Sequence, residues 1–206
     1  MSESRKLWIP GPAGKLEANL RIADSPKASV VIAHPHPQHG GTMHNSVIFH
    51  CDRELNRDGW TSLRFNFRGV EASEGEFDEG RGEVDDTAAA ATWLRGLAPE
   101  RPLVLVGFSF GAFCAIRLGM TEASIAGVVA IGVATRHYHY ADAGKLGKPF
   151  AVVQGERDEL AELDVVRRIV DEAHGTLHVI PNTGHLFQGR AHDAAAKVVE
   201  AANRML

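Results

Sequence analysis

The sequence has no dense basic run. Its 22 Lys and Arg are scattered, and 26 Asp and Glu bring the formal net charge to −4. Neither nucleic acid nor an anionic membrane is therefore expected as a partner. Cysteine is scarce: Cys51 and Cys114 are the only two, and both fall in apolar helical patterns. That is too few for a disulfide framework and predicts buried free thiols in a reducing compartment. No apolar run is long enough to span a bilayer, and the opening MSESRKLWIPGPAG lacks an apolar core of signal-peptide length. A cytoplasmic location is the resulting expectation. Internal repeats, low-complexity tracts and linkers are missing too, which predicts a single domain over residues 1–206, large enough to bury a real core. What remains, 44% apolar and 23% charged, is the balance of an ordinary globular protein.

The turn-rich GPAG between LWIP and KLEANLRI predicts an N-terminal hairpin. Strands and helices then alternate. ASVVIA reads as a strand buried on both faces. Asn45 caps a helix presenting Val47, Ile48, Cys51 and Leu55, with Gly59 ending it. WTSLRFNF is a further strand, followed by a long polar loop and a helix presenting Val84, Ala88, Ala91 and Leu94. PLVLVG is the most apolar strand and is expected at the centre, with a helix from Phe110 to about Met120 after it. IAGVVAIG and KPFAVVQG add two strands, and RHYHYADAGKLG between them is too short for a cap domain. Leu160, Leu163, Val166, Ile169 and Val170 mark a helix closed by Gly175. TLHVI is the last strand, and Ala194, Val198 and Ala202 lay the last helix on the sheet. Such alternation predicts an α/β fold with a mostly parallel sheet covered on both sides. Ligands then bind beyond the carboxyl ends of the strands.

Gly107-Phe108-Ser109-Phe110-Gly111 fits G-x-S-x-G, and it stands between an apolar strand and a helix. A nucleophile elbow needs that setting, because the turn is so tight that the residues two before and two after the serine must be small. The bland alternative is a serine N-cap between turn glycines. A serine hydroxyl also needs a base, and the base an orienting acid. Asp158 follows KPFAVVQG, with Glu156, Glu159 and Asp164 as rivals; His185 follows TLHVI, with His174 and His178 as alternatives, the first read as helical and the second as mid-strand. The order Ser109, Asp158, His185 is the one this arrangement requires, each after a separate strand.

With these residues in view, the chain resembles the α/β-hydrolase superfamily, and within it a group of small, lid-poor bacterial serine hydrolases. The resemblance is carried by HPHPQHGGTMHN, by LRFNFRGVEASEGEFDEGRGE, by VGFSFGAF, and by the Asp158 and His185 loops, from about Val30 to Arg190. It implies a doubly wound sheet with an N-terminal antiparallel hairpin and no substantial lid domain. In this group the histidine is usually followed by two Phe, a second His and Gly. Here the run is His185-Leu186-Phe187-Gln188-Gly189, which supports His185 as the base and argues that position 188 is not essential.

The histidine-rich loop His34–Asn45 holds the place of an oxyanion loop. One donor is the backbone N–H after the nucleophile, here Phe110. Pro35 and Pro37 have no N–H, so between them only His36 can donate; by analogy with the His-Gly-x loops of the superfamily, its backbone N–H is the second donor. A zinc site from His34, His36, His39 and His44 is the competing reading. The stiff prolines and the lack of a compact H-x-x-x-H pair argue against it, and no metal ligand is assigned. His34 is expected at a strand end bonding nearby backbone, and His39 and His44 at the solvent or the pocket rim.

Substrate-pocket candidates are His34, Asn66, Tyr138 and Tyr140, with His137 and His139 beside them; Phe108, Phe110 and Phe113 are expected to pack the elbow. Arg64 and Asn66 are expected to pair with acidic residues of the following loop, and Arg68 to fix that loop through an ion pair. Glu71, Glu74, Glu76, Asp78, Glu79 and Glu83 read as a solvated face. The expected activity is cleavage of small carboxylic esters or thioesters through an acyl-enzyme, without a cofactor, on a small-molecule acyl substrate. A hydrolase-fold binding or scaffold protein with little turnover, and a metal-dependent hydrolase on the histidine loop, are the alternatives. A two-fold homodimer is the general expectation for assembly.

Overall fold

The computed structural model describes residues 4–140 and 142–206. Eight strands form one sheet in the order β1-β2-β4-β3-β5-β6-β7-β8. β1 (Ser4–Gly11) and β2 (Gly14–Arg21) make the hairpin, Gly11 pairing Gly14 across a two-residue turn. β2 runs antiparallel to β4 (Trp60–Phe65). β3 (Ala28–Ala33), β5 (Leu103–Phe108), β6 (Gly127–Ile131), β7 (Phe150–Gly155) and β8 (Thr176–Ile180) continue in parallel.

Every residue of β3 through β7 is buried, as a sheet covered on both faces demands. The two-residue period divides them between two cores. Val31, Ala33, Leu105, Ala130 and Val152 face α2 (Arg81–Leu97), α3 (Phe110–Thr121) and α4 (Leu163–Glu172). Val30, Ile32, Val106, Val129 and Val153 face α1 (Ser46–Arg57) and α5 (Ala191–Asn203). Asn45 caps α1 through its side chain, which accepts the Val47 N–H at 2.9 Å, and Gly59 takes the left-handed turn after it with φ 88°. Cys51 and Cys114 are buried free thiols, and burial pushes both thiol pKa values up.

Several expectations need correction. The buried face of α2 carries Glu83, Asp86 and Thr87 with Ala90, Ala91 and Leu94, while Val84 and Ala88 are only partly buried. The carboxylates go inward because each has partners: Glu83 accepts the N–H groups of Asp78 and Gly80, and Asp86 takes the Arg68 guanidinium at 2.7 and 3.0 Å. Glu83 is thus no part of a solvated face. Arg64 does not pair with the loop after β4; its Nε lies 3.2 Å from Asp52 of α1, and its Nη1 donates to the Met43 carbonyl. Leu160 precedes α4 rather than opening it, and His174 stands beyond its end with φ 51°.

Between β6 and β7 the described residues hold only a single 3-10 turn, Ala143–Lys145. Among the described residues, the carboxyl edge of the sheet carries no lid domain. No helix of the described residues is long and apolar enough to cross a membrane.

Candidate active site

Ser109 stands at the junction of β5 and α3 with φ 56° and ψ −112°, a left-handed geometry that costs a non-glycine residue energy. The neighbours enforce it. A Cβ on Gly107 would lie 2.1 Å from the Gly111 carbonyl oxygen, and one on Gly111 would lie 2.3 Å from that of Ala33. The Ser109 N–H donates to Ile131 O at 2.8 Å, which ties the turn to β6. Its hydroxyl is left pointing away from the sheet, toward the loops after β7 and β8.

His185 arrives from the loop after β8, its Nε2 2.8 Å from Ser109 Oγ and its Nδ1 2.9 Å from Asp158 Oδ2. A carboxylate can only accept, so Nδ1 carries the ring proton and Nε2 offers its lone pair to the serine hydroxyl. All three residues are more than nine-tenths buried. The Asp158 carboxylate is held from two further sides, Oδ1 accepting the Leu160 N–H at 2.9 Å and Oδ2 the Gln154 amide at 2.6 Å. Glu159 accepts the backbone N–H of His185 at 3.2 Å. Its own N–H and that of His185 hold this carboxylate below the ordinary glutamate range. The remaining rivals lie elsewhere: Glu156 accepts the Asn182 N–H, Asp164 stands in the first turn of α4, and His174 and His178 line a separate cleft.

The histidine-rich loop folds around its backbone. His36 has φ −53° and ψ 122°, a 3-10 turn over Pro37–His39 follows, and the Gly41 N–H returns to the His36 carbonyl at 3.0 Å. Gly41 must be glycine, since a Cβ there would meet the Pro35 carbonyl oxygen at 2.1 Å. Among the described residues, neither the His36 nor the Phe110 N–H donates to a protein acceptor. The His36 ring stacks on His39 at 4.4 Å, and its Nδ1 accepts the Gln38 N–H. Burial, then the His39 and His137 rings, lowers its pKa. Among the described residues, no three His, Cys, Asp or Glu side chains are grouped to hold a metal ion.

A cleft of about 290 Å³ opens over this arrangement, lined by Ser109, His36, His39, Ala134, His137, Tyr138 and Leu160. Residues 26–205 match the family model described as alpha/beta hydrolase domain. The chain belongs to the alpha/beta hydrolase family. Within it, a Xanthomonas campestris serine hydrolase structure without a lid superposes with a TM-score of 0.91 at 31% identity, over 100% of this chain and 96% of that one. A serine hydrolase homologue from Coxiella burnetii gives 0.89 at 30% identity, over 97% of each chain. A protein of Rickettsia prowazekii is 36% identical over 171 residues, 81% of this chain and 72% of that protein.

Three pocket candidates of this hydrolase-family chain do not reach that cleft. His34 is fully buried, its Nδ1 2.6 Å from Pro35 O and its Nε2 accepting the Phe67 N–H at 3.1 Å. Burial lowers its pKa to about 4, against the opposing pull of the Pro35 carbonyl. Asn66 is fully buried as well, its Oδ1 accepting the Met43 N–H and its Nδ2 donating to Glu17 and Glu71. Arg64 and Asn66 therefore grip the two sides of one residue in the histidine-rich loop. Tyr140 is 6% exposed and lines a neighbouring cleft; only Tyr138, with His137, is placed as a pocket residue. Sequence reasoning missed Gln154, Ala134 and Leu160. Gln154 did carry a signal, since a polar residue near the end of a buried strand must find partners.

Proposed function

We propose that this chain is a serine hydrolase that cleaves small carboxylic esters or thioesters through an acyl-enzyme. The reading is supported above all by the continuous path Ser109–His185–Asp158, with both hydrogen-bond distances under 3 Å. Ser109 Oγ attacks the carbonyl carbon while His185 Nε2 takes the hydroxyl proton, and Asp158 orients the imidazole and stabilises its cation. The backbone N–H groups of His36 and Phe110 receive the developing oxyanion. As the intermediate collapses, His185 returns the proton to the leaving alcohol or thiol. Water then repeats the sequence on the acyl-serine.

The relatives support the same reading, since the Xanthomonas campestris structure at 31% identity is described as a serine hydrolase. A cleft of about 290 Å³ without a lid domain suits short acyl groups. The test is labelling with a fluorophosphonate, combined with turnover of p-nitrophenyl acetate by the parent, Ser109→Ala and His185→Ala. Labelling and turnover by the parent, and their loss by about 10⁴-fold or more in each variant, are expected. A parent that binds esters but neither labels nor turns them over would instead be a binding protein on a hydrolase fold.

A further inference from the structure

We propose that the Tyr138 ring sets the acyl-chain limit of the site by closing off a second cleft that would otherwise accept a longer apolar acyl chain. The proposal rests on the acyl-enzyme reading above. A cleft of about 370 Å³ adjoins the one over Ser109, and the two share a single lining residue, Tyr138. Segment 134–140 forms a rib between them. Ala134 and His137 face the Ser109 side, while Thr135, His139 and Tyr140 face the far side.

The rib's backbone is fixed independently of the tyrosine ring. Arg136 N–H donates to Leu160 O at 3.1 Å, and Glu162 N–H donates to Thr135 Oγ1 at 3.1 Å. The N–H groups of His137 and Tyr138 both return to Ala134 O, at 3.0 and 3.1 Å. The ring itself is half-buried and held by packing, stacked on Phe113 at 5.0 Å between centroids and tilted against Phe110 at 5.9 Å. Removing it would open the partition without untying the rib.

The far cleft is suited to a neutral chain. Val165 and Ile169 of α4 give it apolar contact, and Arg168 and Glu172 supply one charge of each sign, so no net attraction for an ionic group results. A chain leaving the acyl carbon at Ser109 and crossing position 138 would lie along that α4 face.

The experiment compares kcat/KM for p-nitrophenyl esters from acetate to decanoate in the parent, Tyr138→Phe, Tyr138→Ala and the double variant Tyr138→Ala/Val165→Trp. In Tyr138→Ala the decanoate-to-acetate ratio should rise at least about tenfold, the low end of what one methylene in an apolar pocket confers. Tyr138→Phe should keep the parent ratio, and Val165→Trp, which refills the far cleft, should cancel the gain. Tyr138→Leu repeats the comparison should the alanine variant fail to fold. An unchanged ratio in the opened variants, or a gain that survives Val165→Trp, overturns the assignment of Tyr138. A parent that turns over no ester overturns the acyl-enzyme reading, and this proposal with it.

Discussion

The side-chain amide of Gln154 donates to Asp158 from within the sheet, Nε2 to Oδ2 at 2.6 Å, with no exposure to solvent. That oxygen also faces His185 Nδ1 at 2.9 Å. At its other end Gln154 accepts the Val133 N–H at 2.8 Å. The side chain cannot turn away without stranding a buried N–H, so the carboxylate is aimed by the end of strand β7 as well as by its own loop.

Gln154→Leu should lower kcat roughly 10–100-fold, the equivalent of a hydrogen bond to a charged group. KM should change little, because Gln154 does not line the cleft over Ser109. Steady-state kinetics with p-nitrophenyl acetate read the split. A parent-like kcat in a folded variant would remove Gln154 from any positioning role.

The proposed oxyanion donor at position 36 can be deleted without touching another backbone atom. His36 has φ −53°, inside the range proline adopts, so His36→Pro removes the N–H at little local strain. It should cost about 2.7–4 kcal/mol of transition-state stabilisation. His36→Ala keeps the N–H and should cost clearly less. Equal losses in kcat/KM for the two variants would show that the imidazole, and not the amide, is what matters there.

Burial of His34 links stability to pH. Desolvation pushes its pKa in the folded chain down to about 4, from the ordinary histidine value of 6.5. The unfolded chain thus takes up a proton first as pH falls. Stability from the neutral ring is complete above about pH 6.5 and is lost toward pH 4, roughly 3 kcal/mol in all. Urea unfolding at pH steps across that window should show a shallower pH dependence for His34→Asn than for the parent. Parallel curves would mean that the imidazole is not the titrating group.

Asp52 anchors α1 to the sheet from a fully buried position. It accepts the Ser62 hydroxyl at 2.5 Å and lies 3.1 and 3.2 Å from the guanidinium groups of Arg21 and Arg64. Asp52→Ala leaves Arg64 buried without its carboxylate and should cost about 3–5 kcal/mol of stability. The urea midpoint measures it. A change below 1 kcal/mol, on the order of an exposed ion pair, would show that water reaches the site.

The layout of the sheet was legible because its signals are local. Two-residue alternation, β-branched runs and glycine or proline stops named each strand, and the position after a strand singled out Ser109, Asp158 and His185. The elbow glycines were equally readable, since the turn's steric demand acts over five residues. Partners distant in sequence were not. His34 bonds the neighbouring Pro35 carbonyl and Asn66 pairs with Glu71 of the following loop, both as expected, but the bonds that bury them away from the pocket run to Phe67 and to Met43 and Glu17. The face of α2 was misread for the same reason: an apolar pattern cannot show that Arg68 is waiting for Asp86. Tyr138 and Tyr140 look interchangeable in RHYHY, yet both line the far cleft and only Tyr138 also reaches the cleft over Ser109.

The left-handed backbone at Ser109 sets durability against chemistry. Glycine would hold φ 56° at no steric cost, whereas serine pays about 1–3 kcal/mol for it. Selection for heat resistance alone would therefore favour Ser109→Gly, giving a sturdier chain with an empty elbow. On the acyl-transfer proposal, that strain is durability given up for a hydroxyl held against His185.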